Sequence, residues 1–252
     1  MGLLPSKACK WSKWGGRGLV EDEFGKVYAS NLTPANLKEW TDGEIFRAIT
    51  AGIDKDGNGL APMMPYAIYK NLPRSDVYAI IAYLRSLPSV ENTIPEPEIA
   101  FPFSLIFKTV PAPYVEVEEP DTTDLVNYGK FLSQVSGCHF CHTPIEMGEP
   151  VEGMDFAGGH EFPIPGGGIV RSTNLTQDTE TGVGLWSEAM FVARFKAFAN
   201  PEVQPVKINS GEFTTRMPWF ELSGMKDRDL KAIFAYLKTV APIRNSIEKF
   251  SP

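Results

Sequence analysis

The apolar residues of two segments recur with the period of an amphipathic helix, at positions i, i+3, i+4 and i+7. They are Val77, Ile80, Ile81 and Leu84 in the first segment, and Leu230, Ile233, Phe234 and Leu237 in the second. We expect each helix to bury this stripe against a core. A further helix start is predicted at TDGE, residues 41–44, which fits a capping box. No alternating strand pattern of convincing length occurs in the sequence, which predicts a mainly helical chain.

A third amphipathic helix is predicted in TDLVNYGKFLSQV, residues 123–135, with Thr122 or Thr123 as its N-cap. Its recurring apolar residues are Leu125, Tyr128, Leu132 and Val135. Gly129 lies in the middle of this helix, where glycine costs about 1 kcal/mol relative to alanine. A glycine tolerated there indicates that another helix crosses closely, and we expect this to be the last helix, through Tyr236.

The chain contains two copies of one sequence unit. MPYAIYKNLPRSDVYAIIAYLRSLPSVEN at 64–92 aligns without a gap with MPWFELSGMKDRDLKAIFAYLKTVAPIRN at 217–245, a constant separation of 153 residues. Upstream of these blocks, VYASNLTP at 27–34 aligns with VRSTNLTQ at 170–177, and a tryptophan follows in both copies. The repeat predicts that the two halves of the chain fold alike.

Between the two copies the sequence becomes rich in proline and acidic residues, as in IPEPEIAFPF and VPAPYVEVEEPDTTD. Proline removes backbone donors and favours extended chain, which is typical of a linker. We therefore predict two helical domains in tandem, joined by a proline-rich linker. The predicted bounds are 1–92 for the first domain, 93–123 for the linker and 124–252 for the second domain.

Charge and hydropathy exclude some classes of partner. The net charge of −7 at pH 7 argues against nucleic acid, because proteins that bind it present basic faces to the phosphates. The sequence has no run of about 18 to 20 apolar residues that would predict a membrane-spanning helix. Membrane association is therefore expected only through a partner or through a missing segment. The first residues also lack the apolar core of a signal peptide.

The segment GCHFCHTP, residues 137–144, carries the candidate chemistry because two cysteines and two histidines lie within five of its residues. A structural zinc site usually needs two well-separated pairs of ligands, and beyond this segment the chain offers only Cys9 and His160. A redox dithiol would need the motif at a helix start in a strand-rich unit, whereas here a predicted helix precedes it and turn residues follow. Both interpretations therefore fit the motif poorly.

A covalently attached haem fits every residue type in the motif. The thiols of Cys138 and Cys141 would bond to the two vinyl groups of the porphyrin, and His142 would reach the iron from the same side. Met217 is the candidate sixth ligand, since a thioether is soft and neutral and raises the reduction potential. It lies in a polar loop before the last predicted helix, and its counterpart Met64 is the candidate distal ligand of a first haem.

The first copy has no Cys-x-x-Cys-His motif in this sequence. His142 precedes Asn174 by 32 residues, and the matching position before Asn31 is −1. We therefore expect the sequence to be a fragment that lacks its first haem-attachment motif and its export signal. The alternative is a first domain that binds no haem.

Other polar residues have simpler interpretations. His139 occupies a spacer position of the motif and is expected to face solvent, and His160 is expected in a surface loop. Asn174 and its match Asn31 are candidates for hydrogen bonds across a loop. Arg171 is a candidate either for such a hydrogen bond or for pairing with a haem propionate.

With these residues in place, the chain resembles the two-domain c-type cytochromes and is similar to the cytochrome c subunits of bacterial membrane-bound alcohol and gluconate dehydrogenases. The resemblance rests on NLTP, MMPY and AYLRSL in the first copy and on GCHFCH, STNLT, GVGLW and TRMPW in the second. It implies a compact helical fold around each haem, with Cys138 and Cys141 holding the porphyrin. It also implies His142 on the proximal side, Met217 on the distal side, and electron transfer in the periplasm.

The function expected from this resemblance is electron transfer, not catalysis on a substrate. The chain would carry single electrons between a dehydrogenase and a respiratory acceptor, so its expected partners are a dehydrogenase subunit, a cytochrome or an oxidase. One haem c is expected from this sequence, and a second in a longer chain. The alternative is a two-haem peroxidase-like enzyme with an open haem iron, which Met217 argues against because a methionine within reach closes that position.

Overall fold

A computed structural model of the protein describes residues 14–16, 19–22, 25–106, 113–164, 167–203, 209 and 211–252. The described chain forms two compact units, one within Pro5–Glu119 and the other within Pro120–Pro252, which we call the N-terminal unit and the C-terminal unit. Cys9 lies outside the described residues. The division falls within the predicted linker, and the predicted tandem of domains with that linker stays a prediction.

The N-terminal unit is built from short helices and one small antiparallel sheet. Its helices are α1 (Pro34–Leu37), α2 (Asp42–Ala51), α3 (Tyr66–Tyr69), α4 (Arg74–Ser86) and α5 (Phe103–Ile106). Its strands are β1 (Leu19–Asp22), β2 (Gly25–Tyr28) and β3 (Glu98–Ile99), which pair in the order β1-β2-β3.

The C-terminal unit is likewise built from short helices and small antiparallel sheets. Its helices are α6 (Leu125–Val135), α7 (Cys138–His142), α8 (Glu188–Lys196), α9 (Trp219–Leu222) and α10 (Asp227–Leu237). Strands β4 (Ile145–Glu146) and β5 (Glu149–Pro150) form a hairpin, and β6 (Glu161–Pro163), β7 (Ile169–Arg171) and β8 (Phe250–Ser251) form a sheet in that order. The prediction of a mainly helical chain is confirmed. Within the described part of the chain, no helix is both long and apolar enough to cross a membrane.

Helix α2 begins with the predicted capping box. The Thr41 hydroxyl accepts a hydrogen bond from the Glu44 backbone N–H at 3.2 Å, and the Glu44 carboxylate accepts one from the Thr41 N–H at 2.7 Å. Helix α8 starts in a similar way, because the Ser187 hydroxyl accepts from the Met190 N–H at 3.2 Å. These bonds satisfy N–H groups that have no partner inside the helix.

The apolar stripes of α4 and α10 are buried as predicted, with one exception. All four predicted residues of α10 are at most 5% exposed, whereas Ile80 of α4 is 39% exposed and that part of the prediction is wrong. Its counterpart Ile233 is buried beside Gly129, where α6 crosses α10. The described residues of the N-terminal unit include no counterpart of α6, and this leaves Ile80 uncovered.

Helix α6 begins at Leu125, one residue later than an N-cap at Thr123 would place it and two residues later than an N-cap at Thr122 would. Its N-cap is Asp124, whose carboxylate accepts hydrogen bonds from the N–H groups of Val126 and Asn127 at 3.2 and 3.1 Å. The predicted caps, Thr122 and Thr123, are therefore wrong. Thr123 instead directs its own N–H and hydroxyl to the preceding carboxylate, that of Asp121, at 2.8 and 2.7 Å.

The close crossing predicted at Gly129 is confirmed. A Cβ atom on Gly129 would lie 1.8 Å from the carbonyl oxygen of Ala232, so α10 crosses α6 at Ala232 and not at Tyr236. The two helices are also joined where the Tyr128 hydroxyl donates to Asp229 Oδ1 at 3.2 Å. The predicted face of α6 is only partly buried, since Leu125 is 46% exposed.

The two units share the loop contact predicted for their matching asparagines. Asn174 Nδ2 donates to the carbonyl oxygen of Ile243 at 2.7 Å, and Asn31 Nδ2 donates to that of Val90 at 2.8 Å. Ile243 follows Val90 by the same 153 residues that separate the two repeats. Both bonds join the Asn-Leu-Thr segment to the chain that directly follows the long helix α4 in the N-terminal unit and α10 in the C-terminal unit.

Replacing Gly129 by alanine is expected to destabilise the C-terminal unit by about 1–3 kcal/mol, because the added methyl group has no room against α10. The free energy of unfolding is measured on the full chain by chemical denaturation. The control is Gly43→Ala in α2, where a Cβ would have no other atom within 4 Å and the change is expected to stabilise by up to about 1 kcal/mol. Equal stability of Gly129→Ala and the original chain would contradict the crossing.

Alanine substitutions at the two matching isoleucines are expected to lower the free energy of unfolding by different amounts. Ile233→Ala leaves a cavity between α6 and α10 and is expected to lower the free energy of unfolding by about 2–5 kcal/mol. Ile80→Ala removes an exposed side chain and is expected to cost less than about 1 kcal/mol. Similar losses for the two variants, measured by thermal and chemical denaturation, would show that Ile80 is covered in solution.

Candidate functional site

The Cys-x-x-Cys-His motif forms the short helix α7, directly after α6. Gly137 separates the two helices with a φ of 74°, a left-handed conformation that glycine adopts without strain. Its N–H donates to the carbonyl oxygen of Gln134 at 3.0 Å, which closes the end of α6. The place of the motif is thus fixed by α6, and through α6 by the crossing with α10.

Both thiols of the motif are free, and burial favours their neutral form. Cys138 is buried and packs on the apolar core of the C-terminal unit, while Cys141 is half-buried. Burial raises the pKa of the Cys138 thiol to about 12 and also raises the pKa of Cys141. Within the described ranges no group of three or more His, Cys, Asp or Glu side chains is arranged to hold a metal ion.

The imidazole of His142 is buried and oriented by a backbone carbonyl. Its Nδ1 atom lies 2.7 Å from the carbonyl oxygen of Thr173. Because a carbonyl only accepts, Nδ1 carries the hydrogen and Nε2 keeps its lone pair free. Burial lowers the pKa of His142 and so favours the neutral ring. The hydrogen bond to Thr173 has the opposite, smaller effect on this pKa. A neutral histidine held through Nδ1 in this way is the usual form of a metal-ligating histidine.

The loop after the motif approaches the Thr173 segment closely. Gly158 donates its N–H to the carbonyl oxygen of His142 at 2.7 Å. It has a φ of +75°, and a Cβ atom there would lie 2.5 Å from the Thr173 carbonyl carbon and 2.6 Å from the Asn174 nitrogen. Glycine at this position therefore allows the chain to hold His142 from two sides.

Met217 packs against the same apolar core as Cys138. The buried members of this core are Cys138, Phe156, Phe191, Phe195, Leu230, Ile233, Phe234 and Leu237. Met217 and Trp219 are partly buried against it, and the Trp219 N–H donates to the Met217 carbonyl oxygen at 2.9 Å. The structure therefore brings the attachment motif and Met217 to one core, and ligation by Met217 stays a prediction.

Met64 occupies the matching place in the N-terminal unit. It is partly buried against the core formed by α1, α2 and α4, and the Tyr66 N–H donates to its carbonyl oxygen at 2.8 Å. Its neighbour Met63 is 36% exposed. The local turn is thus repeated, while the role of Met64 as a ligand stays a prediction.

The remaining candidates have partners in the protein. His139 is partly exposed, and its Nε2 lies 2.8 Å from Asp155 Oδ1. Arg171 donates to Glu161 Oε1 at 2.8 Å and to Ser251 Oγ at 3.1 Å, so it joins the strands of the C-terminal sheet. His160 lies in the loop just before β6, is half-buried and stacks on Phe162 at 4.5 Å between ring centroids.

One contact of the site was missed from the sequence. Thr173 acts through its backbone carbonyl, so the identity of its side chain gives no signal. The available signal was its position directly before the repeated Asn-Leu-Thr segment. Taken together, two free thiols on one helical turn, an oriented neutral histidine and a thioether on the same core are a donor set that fits covalently attached haem.

Comparison with known proteins gives relatives over most of the chain, although no protein-family model matches it. The chain is 28% identical over 239 residues to the cytochrome c subunit of the quinone alcohol dehydrogenase of Gluconacetobacter polyoxogenes, covering 89% of this chain and 50% of the relative. It is 26% identical over 235 residues to the fructose dehydrogenase cytochrome subunit of Gluconobacter japonicus, covering 88% and 46%. The chain therefore spans about half the length of these two relatives.

A shorter relative is covered more fully. The chain is 27% identical over 240 residues to a diheme cytochrome c-type protein of Cereibacter sphaeroides, covering 91% of this chain and 76% of the relative. These similarities confirm the resemblance predicted from the sequence: the chain is a homologue of the cytochrome c subunits of bacterial alcohol, fructose and gluconate dehydrogenases.

Proposed function

We propose that the chain is a c-type cytochrome that carries single electrons between a dehydrogenase and a respiratory acceptor. Cys138 and Cys141 would hold one haem c covalently, with His142 as proximal and Met217 as distal ligand of the iron. The observation that carries this proposal is the buried His142, whose Nδ1 lies 2.7 Å from the Thr173 carbonyl oxygen, so that Nε2 stays available to a metal ion. This histidine directly follows the second of two free thiols on the same helix.

Bound haem would supply the one-electron chemistry, and the residues of the chain would orient it and set its potential. The hydrogen bond from His142 to Thr173 fixes the ring and increases the basicity of Nε2. The apolar core around Cys138 and Met217 would shield bound haem from water and so disfavour the more highly charged oxidised iron. A thioether from Met217 would act in the same direction, because it is a soft and neutral ligand.

The partner and the compartment belong to the same proposal. The names of the relatives describe cytochrome subunits of dehydrogenases, which supports a dehydrogenase subunit as electron donor. A second cytochrome or an oxidase would be the acceptor. The periplasm is the proposed location, since the resemblance implies attachment of c-type haem outside the cytoplasm.

A second haem is proposed only for a longer form of the protein. Met64 is its candidate distal ligand, because the turn around Met64 matches that around Met217. The diheme relative is consistent with more than one haem in such proteins. The sequence of the first copy carries no attachment motif of its own.

Replacing both Cys138 and Cys141 by serine is expected to abolish covalent haem, because serine forms no thioether with the porphyrin. The chain is produced behind an added export signal in cells that attach c-type haem, and its intact mass is measured under denaturing conditions. His139→Gln is the matched control, since it changes a spacer residue of the motif and should retain one haem. Covalent haem on the double serine variant, or its absence from the unmodified chain, would refute the proposal.

Replacing Met217 by leucine is expected to remove the sulfur-to-iron absorption band in the near infrared. It should also lower the reduction potential, by on the order of 0.1 V, because axial ligand identity sets the potential of haem iron. Met225→Leu is the matched control, because Met225 packs on the same core and is not a proposed ligand.

A near-infrared band that persists in Met217→Leu would assign the sulfur ligand to another residue. A high-spin iron in the unmodified protein that reacts with peroxide would favour the peroxidase-like alternative over an electron carrier.

A further inference from the structure

The two units differ at the ends of α2 and α8, although these helices start alike. The N-cap of α2 is Thr41 and that of α8 is Ser187, a separation of 146 residues. By this alignment, Ala48 and Thr50 of α2 correspond to Arg194 and Lys196 of α8. Two cationic side chains are therefore present in the C-terminal unit where the N-terminal unit has small neutral ones.

Arg194 lies against two aromatic rings, that of Trp219 at the start of α9 and that of Phe198 directly after α8. Its guanidinium carbon is 4.7 Å from the ring centroid of Trp219 and 5.8 Å from that of Phe198. The two rings are stacked on each other, with centroids 5.0 Å apart and an interplanar angle of 12°. A guanidinium at these distances is attracted by the electron-rich faces of the rings. Arg194 therefore holds the first residue of α9 against α8.

The matching position in the N-terminal unit has no room for a stacked side chain. Tyr66 corresponds to Trp219, and Gly52 corresponds to Phe198. A Cβ atom on Gly52 would lie 2.4 Å from the ring of Tyr66, so no side chain stacks there. Among the described residues, a stack of arginine and aromatic rings at this position is thus found in the C-terminal unit alone, whereas in the N-terminal unit Arg74 lies over the rings of Phe46 and Tyr114 at a different position.

Lys196 holds the other end of α9. Its Nζ donates to the carbonyl oxygens of Ser223, at 3.2 Å, and of Met225, and lies 3.3 Å from Asp227 Oδ1. Carbonyls at the end of a helix have no partner within it, and a cation there completes their hydrogen bonding. In the N-terminal unit the corresponding Thr50 hydroxyl instead donates to the Phe46 carbonyl of its own helix, at 2.8 Å.

The placement of α9 sets the position of Met217. Trp219 is the first residue of α9, and its N–H bonds to the Met217 carbonyl oxygen at 2.9 Å. Only Pro218 lies between them, and its ring restricts the backbone. A displacement of α9 would therefore be transmitted directly to Met217.

We propose that Arg194 and Lys196 are positioning residues that clamp α9 against α8 and thereby keep Met217 in place on the distal side of the haem. This inference rests on the proposed function, since it assumes that Met217 is a ligand. The consequence is that the clamp resists replacement of Met217 by a ligand from solution. Loosening either end of α9 should make the iron easier to reach.

The experiment uses the full chain with haem attached and imidazole as the competing ligand. Arg194→Leu and Lys196→Met are each expected to increase the affinity of the oxidised protein for imidazole by about threefold to tenfold, and the double variant by more. Arg194→Lys keeps a cation over Trp219 and is expected to restore most of the original affinity. The near-infrared band and the thermal midpoint are recorded for every variant.

Lys231→Met is the matched control, because it also removes one positive charge from the C-terminal unit. Lys231 pairs with Glu188 at 3.1 Å, at the start of α8 and away from its end. This variant is expected to leave the imidazole affinity unchanged, even if it lowers the thermal midpoint slightly.

The outcomes separate the two proposals. Unchanged imidazole affinity in Arg194→Leu and Lys196→Met, with the near-infrared band present in the unmodified protein, would overturn the clamp and leave Met217 ligation intact. An equal increase in Lys231→Met would also overturn the clamp, since the effect would then reflect net charge. Absence of the band from the unmodified protein would overturn the proposed ligation together with the clamp.

Discussion

The crossing of α6 and α10 at Gly129 is the contact on which the C-terminal unit depends. It is close because Gly129 has no side chain, so the backbone of α6 meets the carbonyl of Ala232 directly. Helix α7 starts three residues after α6 ends, and the attachment motif is therefore carried by this crossing. The opposite side of α10 packs on Phe191 of α8, in the same core that Met217 joins. One helix thus supports both the motif and the candidate distal ligand.

The orientation of His142 depends on a second set of contacts, which come from the loop around Thr173. That loop is held by the bond from Asn174 to Ile243 and by the close approach of Gly158. The segment after α10 consequently fixes the backbone carbonyl that orients the histidine. Changes near Ile243 are therefore able to affect His142 without touching it.

The repeat makes the N-terminal unit an internal reference for the C-terminal one. Both units have the asparagine bond across the loop and the turn around a methionine, at Asn31 and Met64 in the first. Among the described residues, α10 is covered by α6 whereas α4 has no such helix, and α8 ends in two cations whereas the matching positions of α2 are Ala48 and Thr50. Of the features that the described residues show in the C-terminal unit and not in the N-terminal one, α6 lies next to the Cys-x-x-Cys-His motif, and Arg194 and Lys196 contact the segment that follows Met217.

The sequence by itself determined the helical character, the two copies, the attachment motif and the close crossing at Gly129, since periodicity, exact spacing and an unfavourable glycine are local signals. It did not determine that Asp124 caps α6 in place of the neighbouring threonines, because several adjacent side chains offer an oxygen and only the folded turn selects one. It also left Ile80 and Ile233 equivalent, although burial depends on whether another helix covers them. The Thr173 carbonyl and the Arg194 stack were decided by tertiary structure alone, because they join segments distant in the chain through backbone atoms and ring faces.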